Sequence, residues 1–108
     1  MTEKNTFRAV VLEVGKDAEV RNIERTKEAV ESILNSPSVV GLIYLADRPN
    51  GRLFIAVHEN GQVQSLPRNR IDLRGNAIIL KISKEEQTEI DLTDEECQKL
   101  LEEIRTWP

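Results

Sequence analysis

The sequence predicts an α+β domain: a mostly antiparallel sheet of about five to seven strands, with one internal helix and one C-terminal helix on one face. Three observations lead there. Short β-branched or alternating runs recur along the chain, separated by Gly, Pro and Asn turn signals. One stretch in the first third repeats its apolar residues with the period of an amphipathic helix. The C-terminal segment opens with a helix-capping sequence. Strands joined by short turns favour antiparallel pairing, with helices laid against the sheet.

Each element has its own warrant. Residues 7–14, FRAVVLEV, are rich in β-branched side chains and read as an interior strand. Gly15-Lys16-Asp17 is a turn, and residues 18–23 are a weaker returning strand. Thr26, Ala29, Val30, Ile33 and Leu34 fall on one helical face, with Glu24, Lys27, Glu28 and Glu31 on the other. That helix must end near Asn35, because Ser36 precedes Pro37 and resists helical angles. Residues 39–46, VVGLIYLA, form a strand, and residues 47–51, DRPNG, a loop. Residues 53–58 form another strand. Asn60-Gly61 supplies a tight hairpin turn, and residues 62–66 the return, stopped by Pro67. Residues 77–82 are a fifth strand, and residues 87–92 alternate like a short edge strand. Thr93-Asp94-Glu95-Glu96 is a capping box that opens a helix over 93–106. Its apolar stripe is Cys97, Leu100, Leu101 and Ile104, and Trp107 is expected to fold back over the core edge.

Composition narrows the function. A chain of 108 residues is expected to be one domain spanning 1–108, with residues 1–6 a flexible N-terminus. No apolar run approaches the ~20 residues that cross a bilayer, and the first residues do not read as a secretory signal. Cys97 is the single cysteine, so the chain has no internal disulfide, and a cytoplasmic setting is expected. The net charge of −4 argues against generic nucleic-acid binding. The charge is unevenly spread. From Asp47 to Lys84 there are seven basic and three acidic residues, which is +4 and leaves −8 on the flanks.

Several residues invite a chemical reading. His58 is the single histidine, which leaves a catalytic or metal set hard to build and fits a polar residue at a strand end. Cys97 lies on a buried stripe beside three carboxylates, the setting of a small hydrophobe rather than of a nucleophile. Glu85, Glu86, Glu89 and Asp91 read as a solvated edge that discourages aggregation. Gly15-Lys16 lacks the glycines of a phosphate loop. No catalytic residue, metal ligand or cofactor is therefore expected. The notable stretch is Pro67-Arg68-Asn69-Arg70, with Arg74 four residues on. Guanidinium groups offer forked donors suited to phosphate or carboxylate. Arg68, Asn69, Arg70 and Arg74, joined by Arg48 and Arg52 from the neighbouring loop, are the candidate ligand-binding residues. The competing reading is an exposed bend whose arginines pair with Glu59, Asp72 or the acidic helices. Such pairs contribute only ~0–1 kcal/mol each.

The positions Val14-Gly15-Lys16, Asn60-Gly61, Leu66-Pro67, Asn69-Arg70 and Gly75 resemble a domain-of-unknown-function family of small phage, plasmid and mobile-element proteins. The resemblance covers residues 8–82 and rests mainly on its LPxNR motif; the acidic tail from Ser83 departs from it. It implies a small α+β domain of mobile-element origin, and it supplies no catalytic residues. Proteins in that setting often counter host defence by sequestering a signalling nucleotide or by binding a defence enzyme. The expectation is a non-enzymatic module that binds a nucleotide-like anion or an acidic partner protein. The alternatives are an inhibitor that engages a host factor through a sheet edge or the acidic helices, and a small phosphodiesterase that uses His58. An exposed sheet edge in so small a domain also fits a homodimer, joining two arginine patches into one pocket.

Overall fold

The computed structural model describes residues 5–34, 40–58 and 75–106. Its elements run β1 (Thr6–Leu12), β2 (Glu19–Glu24), α1 (Lys27–Leu34), β3 (Val40–Arg48), β4 (Gly51–His58), β5 (Ala77–Ser83), β6 (Glu89–Ile90) and α2 (Asp94–Thr106). The sheet order is β2-β1-β5-β4-β3, with β6 also paired to β5, and every pairing is antiparallel. The α+β class expected from the sequence is the class observed. No helix among the described residues is long and apolar enough to cross a membrane.

β5 is the centre of the sheet. β4 pairs with it from Gly51↔Ser83 to Val57↔Ala77. On its other side β1 occupies the first half and β6 the second. A strand covered on both edges and both faces reads as a nearly continuous apolar run, and AIILKIS does. Successive side chains alternate between faces, which divides the core in two. Val10, Leu12, Leu53, Ile55, Ala77 and Ile79 pack under Cys97, Leu100 and Ile104 of α2. Phe7, Ala9, Val11, Ala56, Ile78 and Leu80 pack with Leu34, Ala29, Val30 and Ile33 of α1. The helices therefore lie on opposite faces, which corrects the expectation that they share one. The physical reason is visible in VVL of β1: Val10, Val11 and Leu12 are all fully buried, so both faces of that strand need cover.

Local chemistry fixes both helices. Thr26 caps α1, its hydroxyl accepting the Ala29 N–H at 3.1 Å. The predicted capping box of α2 is complete. The Glu96 N–H donates to the Thr93 hydroxyl at 3.1 Å, and the Thr93 N–H donates to Glu96 Oε1 at 2.9 Å. Asn76 then ties three elements. Its amide donates to the Ile33 carbonyl at 2.8 Å, and its oxygen accepts the Val14 N–H at 2.8 Å, so the α1 end, the β1 end and the β5 start are clamped together.

Smaller differences from the sequence reading have simple causes. The loop expected over 47–51 is a tight turn around Pro49-Asn50, with Asp47 paired to Arg52 and Arg48 to Gly51. Gly51 belongs to the strand, where a Cβ would overlap the Ile82 carbonyl oxygen. The expected edge strand over 87–92 contracts to Glu89–Ile90, because Gln87 takes a left-handed φ of 59° in the preceding turn. At the N-terminus, Thr6 already belongs to β1, and the Asn5 carbonyl accepts the Arg25 N–H at 2.7 Å. The Asn60-Gly61 turn, the strand over 62–66 and Trp107 lie outside the described residues.

Candidate functional site

Two of the cavities formed by the described residues are the most relevant to binding. The first, about 330 Å³, lies between the β3–β4 turn and the start of α2. Arg48, Pro49 and Asn50 line one side; Thr93, Glu95, Glu96 and Lys99 line the other; Lys81 lies between them. The second, about 410 Å³, lies beside α1 and is floored by Leu42, Ala56, Leu80 and Ile82, with Arg25 and Glu89 at its polar margin.

The first cavity is built around a pair that sequence reasoning missed. Lys81 is 3% exposed in the middle of β5, opposite Leu53 and Ile90. Strand alternation directs it to the α2 face. There its Nζ donates to Glu96 Oε1 at 2.7 Å. An unpaired ammonium at that depth would be strongly unfavourable, so Glu96 is the partner that lets β5 carry a charge in the core. Burial pushes the Glu96 carboxyl up, but the Lys81 hydrogen bond and the Thr93 N–H outweigh it and hold the group below its ordinary value. The same carboxylate thus caps α2 and neutralises β5. The sequence did carry a signal: a lysine inside the apolar run IILKI is out of place unless an acid reaches it.

Arg48 stands on the rim. Its Nε lies 3.8 Å from Glu96 Oε2, and one of its terminal nitrogens donates to the Asp47 carbonyl at 2.8 Å. Its side chain is 32% exposed, and a guanidinium carries five N–H donors, so these two contacts leave capacity for a ligand. The lining holds three cations (Arg48, Lys81, Lys99) and two carboxylates (Glu95, Glu96), a net +1. The α2 N-terminus adds little to that field. The capping box already satisfies the Thr93 and Glu96 N–H groups, and Asp94, Glu95 and Glu96 fill the helix's first turn with negative charge.

The structure does not bring Arg48 and Arg52 together. Arg48 faces Glu96 and α2. Arg52 pairs across the ladder with Asp47, at 3.5 Å, and points to the α1 face. It joins a surface group in which the nearby Asp47 carboxylate raises the Tyr44 phenol above its ordinary value. Arg68, Asn69, Arg70 and Arg74 lie outside the described residues.

Two other residues singled out from the sequence are buried. Cys97 packs in the α2 core; burial raises its thiol, Arg8 opposes, and Asp94, Glu96 and Asp91 add to the rise. That is the opposite of a nucleophile's environment. His58 is buried at the far end of β4, seven residues or roughly 23 Å along the strand from Gly51. It is remote from the Arg48 cavity. No cluster of three or more His, Cys, Asp or Glu that could hold a metal occurs among the described residues. No protein-family model, curated protein or solved structure matches the chain.

Proposed function

We propose that the protein is a small non-enzymatic module that binds a nucleotide-like anion at the cavity beside Arg48. The observation that supports this reading is a partly exposed guanidinium over a cavity of about 330 Å³ with a net positive lining. That volume is at the lower end of small-ligand sites, of the order of 300–1,000 Å³. It suits one phosphate-bearing headgroup better than an extended polymer. Arg48 and Lys99 would contact the anion, while Lys81 and Glu96 form the floor that holds them. Arg68, Asn69, Arg70 and Arg74 lie outside the described residues and are not assigned to this cavity, and Arg52, drawn to the other face, is not part of it. Sequestering a small anion accords with the mobile-element origin that the LPxNR resemblance implies.

The experiment is a thermal-shift and calorimetric titration with adenosine monophosphate and, separately, inorganic pyrophosphate. Either probe should raise the melting temperature saturably, in line with linkage between binding and folding. Arg48→Ala should abolish the shift while barely moving the melting temperature of the unliganded protein. Phosphorus NMR of the same samples should show the probes unchanged. Hydrolysis of a phosphodiester probe, bis(p-nitrophenyl) phosphate, that disappears in His58→Ala would instead support the phosphodiesterase reading. Absence of any saturable shift would remove the anion from the account.

A further inference from the structure

The polar groups of the Arg48 cavity divide into those already engaged and those left over. Lys81, Glu96 and Thr93 are linked by hydrogen bonds, and Arg48 leans on Glu96 and the Asp47 carbonyl. Glu95 and Lys99 line the same cavity and are exposed. Among the described residues, no hydrogen bond or ion pair engages either side chain. They stand four residues apart on one face of α2, in the order that favours an acid–base pair. That pair is not made. The cavity therefore offers a ligand two unspent charges of opposite sign, one helical turn apart. A bare inorganic anion can use only the positive one, together with Arg48 on the other side of the cavity. To such a ligand Glu95 is a repulsive neighbour.

We propose that the site takes a ribonucleotide, with the Glu95 carboxylate accepting hydrogen bonds from the ribose cis-diol. The ribonucleotide is a narrower case of the anion proposed above and rests on it. A nucleotide brings donors of its own in the sugar hydroxyls, and a carboxylate is a well-attested acceptor for the ribose 2′-hydroxyl. The spacing agrees. An α-helix rises about 1.5 Å per residue, so the Glu95 and Lys99 backbones lie about 6 Å apart along α2. The diol and the 5′-phosphate of a nucleotide are separated by one sugar ring and one methylene, a span of that order. With the phosphate held by Arg48 and Lys99, the diol lies one turn back toward the start of α2, where Glu95 stands. A cavity of about 330 Å³ has room for the sugar and the phosphate. Glu95 thus separates ligands by what they carry besides negative charge. It favours an anion with a diol and disfavours one without.

Calorimetric titration of the full chain with adenosine 5′-monophosphate, its 2′,3′-dideoxy analogue and inorganic pyrophosphate tests it. The wild type should bind the ribonucleotide about tenfold more tightly than the dideoxy form. That is the low end for hydrogen bonds to a charged group, because Glu95 is exposed. In Glu95→Ala the two nucleotides should bind equally. Pyrophosphate should bind that variant several-fold more tightly than the wild type, since the net charge of the lining rises from +1 to +2. Damage to the fold would instead weaken all three ligands. Equal binding of the two nucleotides by the wild type, or binding of pyrophosphate alone, overturns the diol assignment and leaves the anion reading standing. So does discrimination that persists in Glu95→Ala, or a uniform weakening of all three ligands there. If the wild type binds none of the three, the anion reading falls and the diol assignment falls with it.

Discussion

The two faces of the sheet are covered unequally. On one, the thirteen-residue α2 seals its strands with Cys97, Leu100 and Ile104, all buried, and Leu92 closes the helix entry. On the other, α1 has eight residues, and its fully buried anchor is Leu34, with Ala29, Val30 and Ile33 only partly covered. Beyond the reach of α1, Leu42 and Tyr44 remain exposed. The lesson is about where stability and recognition are placed. Both faces carry deep apolar contacts, and the α2 face adds, at its rim, a charge network pinned by a helix cap. At its β3 end the α1 face presents the exposed side chains of Leu42 and Tyr44.

The largest expected effects test this inequality. Leu100→Ala should cost about 3 kcal/mol, within the range for a buried leucine that leaves a cavity. Val30→Ala, at the partly covered helix, should cost only about 1 kcal/mol. Chemical denaturation of both variants measures the difference; equal losses would dissolve the contrast between the faces.

Next in size is the buried pair. Glu96→Ala leaves Lys81 without its partner and opens the cap of α2. Breaking a buried pair costs about 3–5 kcal/mol, and the partial exposure of Glu96 brings the expected loss to roughly 2–3 kcal/mol. The double variant Lys81→Met with Glu96→Leu should recover most of it. The pH dependence has a definite sign. The folded-state value of Glu96 lies below its unfolded value, so the pair's stabilisation is fully present above the ordinary glutamate range. It is lost as the pH falls through the lowered folded value. Stability curves of wild type and Glu96→Gln should therefore differ most near neutrality and converge in strong acid.

The smallest effect belongs to Arg52→Ala. Arg52 and Asp47 are both more than half exposed, and exposed pairs contribute about 0–1 kcal/mol. A loss above that range in urea denaturation would show Arg52 to be part of the framework and not of the surface.

The sequence made the local structure readable and left the long-range partnerships hidden. The α2 capping box, the α1 periodicity and most strand runs among the described residues were legible because each is a property of neighbouring residues. The placement of the helices on opposite faces was half legible. The unbroken apolar run in β1 marks a strand buried on both sides, but nothing local says which helix covers which side. Arg48 and Arg52 looked like one patch because they are close in sequence. The tight turn puts them at strand positions that face opposite ways, and that depends on a register set by Pro49-Asn50. The Lys81–Glu96 pair spans fifteen residues and needs the sheet assembled before it exists.

The anion site at Arg48 is tested most directly by nitrogen-15 NMR of the full chain titrated with inorganic pyrophosphate. The account predicts saturable shifts of the Arg48 side-chain Nε–H and of the backbone amides of Thr93, Glu95 and Lys99, all absent in Arg48→Ala. Shifts that leave those residues untouched, or that persist in Arg48→Ala, would contradict it.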